Sequence, residues 1–587
     1  MVVARARDRW VANLRLLVFV GGLVVGLLVL LGDRVHPGWA GALALVFGAL
    51  VVVHDRVLRR RDLAQAAVLF YQRGLDRLDH KWPGTGIQDA DYVPPDHPYA
   101  ADLDIFGKGS LFERLCTART RAGEETLAAW LSQAAPVTTI RERQGAVEDL
   151  RGRMDLREDL TVLGGSVRAE VRPDVLLRWA TAPAVFTGPS ASALKAMAWL
   201  LGVATPLVLL SLLYGVSVPG IPSSAGPQLL VALLALEAVI YLKHRKQVRQ
   251  VMHGMEKPER DLRVLAVMLA RLEAEDFQAP RLLELQAQLR AEGRRASAAI
   301  SRLARLAMWL DSERNALFVP IGLLTMWGVH FALAIEGWRR HAGAQVPRWL
   351  AAVGEFEALV ALASYAFEQP EDPFPELTEG GVLLDGELLG HPLLPDADCV
   401  RNSVCLDREE PVWIISGSNM SGKTTLMRSL GVNVVLAQAG APVRAKRLRL
   451  SPLCLGATMR VQDSLLDGRS RFYEEIKRLQ QLMSLAAGDR PLLFLLDEVL
   501  AGTNSHDRQI GATALLRQFL EAGAIGLITT HDLALAEPRE GMPGRIANKH
   551  FVDHVEQGQL VFDYRLREGV VQKSNAIALM RAVGLKV

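Results

Sequence analysis

The sequence predicts a multidomain chain of three kinds of structure: two transmembrane helical hairpins, an α-helical body around them, and a C-terminal α/β domain. Three observations carry this prediction. Charge-free apolar runs come in pairs closed by arginines, apolar residues elsewhere recur at three- and four-residue spacing, and beyond Gly381 short apolar strands alternate with helical stretches. A hydrophobic content of 50% over 587 residues is high for a soluble chain and leads to the same expectation of membrane segments.

Leu16 to Gly32 carries no charge over 17 residues, and after Asp33 and Arg34 a second run extends from Val35 to Val53. Each is near the minimum length for a spanning helix. Arg5, Arg7, Arg9 and Arg15 precede the pair and Arg56, Arg59, Arg60 and Arg61 follow it, which puts both ends in the cytoplasm. A hairpin over residues 1–60 is expected rather than a cleaved signal peptide, because no small-residue cleavage site is evident and the second run follows at once. Ala196 to Leu236 is charge-free for 41 residues, is interrupted by GVSVPGIPSSAGPQ and is closed by KHRKQVR, which gives a second hairpin over 196–243. Glu237 falls inside the fourth crossing. Asn315 to Ile335, charge-free for 21 residues, is read as a buried helix, since a fifth crossing would leave the rest of the chain outside the cell. The expected location is the cytoplasmic (inner) membrane, multi-pass, with the C-terminal domain in the cytoplasm.

Between these runs, residues 61–195 and 244–370 are expected to be helical, the second with long amphipathic helices marked by Leu262, Leu265, Leu269 and Leu272. EQPEDPFPELTEGG, Glu368 to Gly381, breaks the chain before the domain at 371–587. Net charge is only +3, from 67 basic and 64 acidic residues, so no global field draws the chain to nucleic acid. Arg444, Lys446, Arg447 and Arg449 form one local basic run, whose bland explanation is a solvated strand or loop. Cys116, Cys399, Cys405 and Cys454 show neither a CxxC pair nor a nearby His, so neither disulfide nor zinc is expected.

The chemistry lies in ISGSNMSGKTTLMRSLG. Gly417, Gly422, Lys423 and Thr424 satisfy GxxxxGK[ST] after the strand VWIIS and before a helical stretch, the context a phosphate-binding P-loop needs. Backbone N–H groups across Ser418, Asn419, Met420, Ser421, Gly422, Lys423, Thr424 and Thr425 would cradle a phosphate at the positive end of the helix. Lys423 would reach the β- and γ-phosphates, and Thr424 would ligate Mg²⁺. PLLFLLDE places Asp497 where it can hold the metal and Glu498 where it can act as general base, and LITTHD ends a further strand with His531. Hydrolysis of a nucleoside triphosphate, ATP, is the activity these motifs predict together.

These residues resemble the MutS family. GSNMSGKTTLMRSLGVNVVLAQAGAPVRA is similar to its phosphate loop and following helix, DSLLDGRSRFYEEI to its signature segment, and LLDEVLAGTNSHD and TTHD to its metal-binding and switch-histidine motifs. DLDIFGKGSLFERLCTARTRAGEETLAAWL resembles the start of the family's helical core, EFEALVALASYA its last helix before the ATPase, and GVVQKSNAIALMRAVGL its closing helix. The resemblance implies a MutS-like helical core and lever, a MutS-type (ABC-type) P-loop ATPase, and a homodimer in which Ser470 completes the partner's ATP site. It also implies DNA binding, on mismatched or branched DNA, and DNA mismatch repair. Residues 1–60, where a mismatch reader carries its recognition domain, hold the first hairpin instead, so a membrane-anchored member lacking that domain is expected. Arg471 stands where the signature usually has Thr, and Cys399 stands near the place where many members set an aromatic ring against adenine.

Two other readings stay open. The motor could act on a protein or membrane partner without DNA, or the chain could be half of an ABC transporter. Against the transporter, no LSGGQ-type signature precedes PLLFLLDE, four crossings are fewer than six, and Asp497 follows Lys423 by 74 positions.

Overall fold

The computed structural model describes residues 2–31, 36, 38–165, 173–186, 188–215, 225–252, 259–290, 293, 295–311, 318–418, 420–459, 471–531, 545–556 and 559–571. The chain divides into two compact units, each drawn from separated stretches: Met1–Leu75, Met154–Glu275 and Leu289–Trp349 make the first, and Asp76–Arg153, Asp276–Gln288 and Leu350–Val587 the second.

The first unit is helical. Helices Val2–Leu30 and Gly38–Leu78 are joined by Asp8, which accepts from Arg61 Nη1 at 2.8 Å and lies 3.0 Å from His54 Nε2, and by the ring pair Phe19 and Phe47. Leu16, Leu17, Leu23 and Leu27 on the first helix are exposed. Helices Pro189–Tyr214 and Gly226–Met252 form a second pair, in which Thr205 Oγ1 donates to Glu237 Oε1 at 2.6 Å, so Glu237 faces the neighbouring helix. Five helices of the chain are long and apolar enough to cross a membrane among the described residues. In four of them the most apolar window is mostly uncovered by protein, 6–22% buried, whereas the fifth, within Trp327–Glu368, is 83% buried.

The stretch expected to be one buried helix at 315–335 is not one helix. Residues 312–317 lie outside the described set, and from Val319 the chain forms a short helix, Val319–Leu324, then turns and restarts as Trp327–Ala342. Two local features make the break: Met326 sits at φ +49°, outside any right-handed helix, and Thr325 Oγ1 bonds back to Ile321 O at 2.7 Å. Val329, Ala332 and Ile335 beyond the break are buried, while Ile321 and Leu323 before it are exposed. Burial therefore holds for the second half alone.

The second unit combines helices with two sheets. Glu357, buried on helix Val346–Glu368, accepts from Arg119 N at 2.8 Å and from Thr120 N at 3.2 Å, capping the start of helix Arg121–Ser132; burial nonetheless pushes its carboxyl up to about 7. Strands β1 (Glu376–Leu377), β2 (Leu384–Leu389), β3 (Asn402–Leu406) and β5 (Arg447–Leu450) form a sheet in the order β1-β5-β2-β3. The larger sheet has β4 (Val412–Ser416), β6 (Cys454–Thr458), β7 (Leu492–Leu496), β8 (Ile525–Thr530), β9 (Ile546–Glu556) and β10 (Gln559–Glu568) in the order β10-β9-β4-β8-β7-β6. All its pairings are parallel except β9 with β10.

Every residue of β4, β7 and β8 is buried, as near-continuous apolar runs in a parallel sheet covered on both faces require. Phe494 and Leu496 of β7 pack with Leu482 of helix Arg471–Ala486 and with Phe519 of helix Ser505–Glu521, the two rings stacked at 4.5 Å. Leu495 points the other way, to helix Lys423–Ala439, where a Cβ on Gly431 would come within 2.9 Å of it. Losing a ring such as Phe494 would cost about 3–5 kcal/mol. This packing fixes the strand ends that carry the site.

Candidate nucleotide site

The loop after β4, the acidic pair after β7 and the histidine after β8 leave the carboxyl ends of three adjacent parallel strands, so residues separated by up to 114 positions in sequence share one edge of the sheet. Gly417 and Gly422 take φ of +150° and +104°, and a Cβ on Gly417 would lie 2.9 Å from Ser421 Oγ. Met420, at φ +71°, is 83% exposed at the tip of the loop. Helix Lys423–Ala439 begins immediately afterwards with Gly422 as its cap, and among the described residues no side-chain cap closes its start. Thr425 lies in its first turn.

Lys423 is 5% exposed, and its ammonium donates to Gly417 O and Ser418 O, both at 2.8 Å. Burial lowers its pKa, opposed by the charges of Asp497, Glu498 and Asp553. Thr424 Oγ1 donates to Asp497 Oδ2 at 2.6 Å, which joins the two side chains named as metal ligands. Ser418 Oγ and Ser421 Oγ are buried without a hydrogen-bond partner among the described residues. An uncapped helix start, a buried ammonium and two unsatisfied hydroxyls around one loop fit a polyanionic phosphate, and the Thr424 and Asp497 oxygens fit a hard cation such as Mg²⁺.

Asp497 N donates to Thr458 O at 2.9 Å, and the Asp497 carboxylate also accepts from Thr529 Oγ1. Glu498 sits at φ +49° with its N–H donating to Thr529 Oγ1 at 3.0 Å and its carboxylate 2.8 Å from His531 Nε2. A non-glycine residue held there stores about 1–3 kcal/mol, which the surrounding structure must offset. Both acidic residues are thus positioned by β8 and the histidine that follows it, and Thr529 was not singled out in LITTHD. Tyr564 was missed as well. It stands on β10 at φ +54°, half-exposed, with its ring 3.2 Å from where a Gly422 Cβ would lie; Asn402 holds it there by donating to Tyr564 O at 3.0 Å and accepting from Leu566 N at 2.8 Å. Cys399, by contrast, accepts through Sγ from His391 N at 3.3 Å. Asn419, Ser470 and most of GVVQKSNAIALMRAVGL lie outside the described residues.

The basic run is paired. Arg444 meets Asp372 at 3.0 Å and also Asp396, Lys446 meets Glu387 at 2.5 Å, Arg447 meets Asp385 at 2.9 Å and Arg449 meets Glu376 at 3.2 Å. It is a charge-compensated strand and its approach, the bland explanation of the sequence pattern.

Residues 413–586 match the family model described as MutS domain V. The chain is 34% identical over 203 residues to the Endonuclease MutS2 of Thermus thermophilus, covering 33% of this chain and 25% of that protein. It is 32% identical over 239 residues to a DNA mismatch repair protein MutS of Natronomonas pharaonis, covering 40% and 27%. A DNA mismatch repair protein MutS 2 of Halobacterium salinarum matches at 30% over 254 residues, covering 42% and 29%. The chain thus spans between a quarter and three-tenths of the length of these curated relatives.

Proposed function

We propose, from the match of residues 413–586 to MutS domain V, that the chain is a membrane-anchored, dimeric ATPase of MutS type, whose ATP cycle moves its helical body and acts on DNA of mismatched or branched form. The observation that carries this reading is the meeting of Lys423, Thr424, Asp497, Glu498 and His531 at one sheet edge.

The residues divide the work as follows. The loop N–H groups and the start of the Lys423–Ala439 helix bind the phosphates, and Lys423 exchanges its two loop carbonyls for phosphate oxygens, which restores a counter-charge to a buried ammonium. Thr424 and Asp497 would hold Mg²⁺, which would supply neutralisation of the phosphate charge. Glu498 takes the proton of the attacking water, oriented by His531 and by the Thr529 hydroxyl beneath it. The exposed ring of Tyr564 beside the loop offers a face for the base. Ser470 of a second subunit completes the site. The four uncovered apolar helices form two hairpins that hold the protein in the cytoplasmic membrane, with domain boundaries at 1–60, 61–195, 196–243, 244–370 and 371–587.

The test is ATP turnover of the detergent-purified chain with and without homoduplex, mismatched and branched DNA at physiological salt. Lys423→Ala should lower turnover by about a hundredfold or more. Glu498→Gln should lose turnover by about 10²–10⁴-fold while still binding nucleotide and closing the dimer. Turnover that survives both substitutions would sink the ATPase. Lys423-dependent turnover indifferent to every DNA would keep the motor and replace DNA by a partner in or at the membrane, the reading that the uncovered helices favour.

A further inference from the structure

A cavity of about 1270 Å³ lies within the first unit, between helices Pro189–Tyr214, Ala296–Asp311 and Trp327–Ala342. Its walls are polarised along their length. Trp338 Nε1 donates to Ala299 O at 2.8 Å and Trp327 Nε1 to Trp309 O at 3.2 Å, so the second and third helices run antiparallel. The Trp199 ring packs on His330 at 5.4 Å, and a Cβ on Gly202 would lie 2.8 Å from Thr325 O, so the first helix is antiparallel to the third as well. These registers bring Lys195, Arg295 and Arg340 to one end of the cavity, with Arg302 two turns further along its helix. The other end is lined by Val203, Leu306 and Trp327, with Trp199 and Phe331 between.

Among the described residues this charge is uncompensated. Lys195, Arg295, Arg302 and Arg340 are exposed, and none has an ion-pair partner among the described residues. Glu336 also lines the space, but its carboxylate is buried, bonded to Arg339 Nη1 at 3.1 Å and to Val185 N at 3.0 Å. A cationic mouth leading to an aromatic and aliphatic floor matches a molecule with an anionic head and an apolar body. The Pro189–Tyr214 helix supplies the direction: Lys195 is near its start, on the cytoplasmic side if this helix spans, and the apolar floor lies deeper. That places Lys195, Arg295 and Arg340 at headgroup depth.

We propose that this cavity is a binding site for one anionic phospholipid of the cytoplasmic leaflet, its phosphate held by Lys195, Arg295 and Arg340 and its acyl chains laid along Trp199, Phe331 and Leu306. The proposal rests on the membrane-spanning reading of the Pro189–Tyr214 helix.

The experiment places the full chain in nanodiscs of equal phosphatidylglycerol and phosphatidylcholine and counts phospholipid retained after mild detergent extraction by native mass spectrometry. One phosphatidylglycerol per chain, in preference to phosphatidylcholine, is expected. Lys195→Gln with Arg340→Gln should reduce that retention about tenfold or more, as the loss of two cations near a charged surface implies. Arg56→Gln with Arg60→Gln, the same charge loss on the other hairpin, should leave it unchanged. Val203→Trp should evict the lipid with every charge intact. Equal retention in pocket and control variants, no preference for phosphatidylglycerol, or binding of soluble glycerol phosphate as tightly as the lipid overturns the site. Alkaline extraction followed by vesicle flotation separates the two failures: a chain released from vesicles defeats the spanning reading and the site with it, and a chain that stays but shows no lipid preference defeats the site alone.

Discussion

Thr529 shows how much a single hydroxyl can organise. It donates to Asp497 and accepts from Glu498 N, so one side chain on β8 sets the carboxylate proposed to hold the metal and the backbone of the proposed general base together. Thr529→Val keeps the shape and removes both bonds, at about 1.5–3 kcal/mol for a bond to a charged group. The expected result is turnover lowered about tenfold to a hundredfold, with half-saturating Mg²⁺ raised, nucleotide binding without Mg²⁺ unchanged, and recovery in Thr529→Ser. An unaltered Mg²⁺ dependence in the valine variant would remove Thr529 from the site. Lys423, Thr424, Asp497, Glu498 and His531 were legible in the sequence because each lies at or just beyond a loop that leaves an apolar strand, in a spacing with chemical meaning. Thr529 was hidden inside its strand, where its partners arrive from β7, and Tyr564 was hidden because a hairpin across the sheet brings it to Gly422.

Strands and helices meet tight limits near the site. Gly526 of β8 has no room for a side chain: a Cβ there would overlap Phe494 O and lie 2.5 Å from the Phe494 ring. Gly526→Ala should therefore force β7 and β8 apart and destabilise the domain by about 1–3 kcal/mol, the range for overpacking. Thermal unfolding of the purified chain would read this as a lower midpoint, and an unchanged midpoint would mean that the Phe494–Phe519 stack yields easily. The alternation of strands and helices after Gly381 was readable from apolar period and turn residues. The split at Met326 was not, because a charge-free run has the same composition whether its helix continues or turns, and the turn depends on local geometry at Thr325 and Met326. The smaller sheet was equally silent, since β1 and β5 pair across about 70 residues of intervening chain.

For the whole molecule, the family match covers 413–586 and leaves the long apolar helices of the first unit without a counterpart in that match. The long apolar helices were legible there as charge-free length, while the lining of the cavity beneath Lys195 depends on how three helices align and leaves no trace in composition. The neutralised strand that contains Arg447 and Arg449 has a thermodynamic consequence for any complex with nucleic acid. Protein cations tighten binding to DNA chiefly by expelling condensed counterions, and each one that does so steepens the fall of affinity with salt by about 0.9 in the logarithmic slope. Arg444, Lys446, Arg447 and Arg449 already discharge their field into Asp372, Asp396, Glu387, Asp385 and Glu376, so they have no ions to expel. Replacing Lys446 and Arg447 by Gln should leave the salt slope of DNA binding where it was, and a slope shallower by about two would show that these pairs open to phosphate. A chain of this charge balance that grips DNA must do so with cations from elsewhere, and its osmotic signature in ions released would report how many.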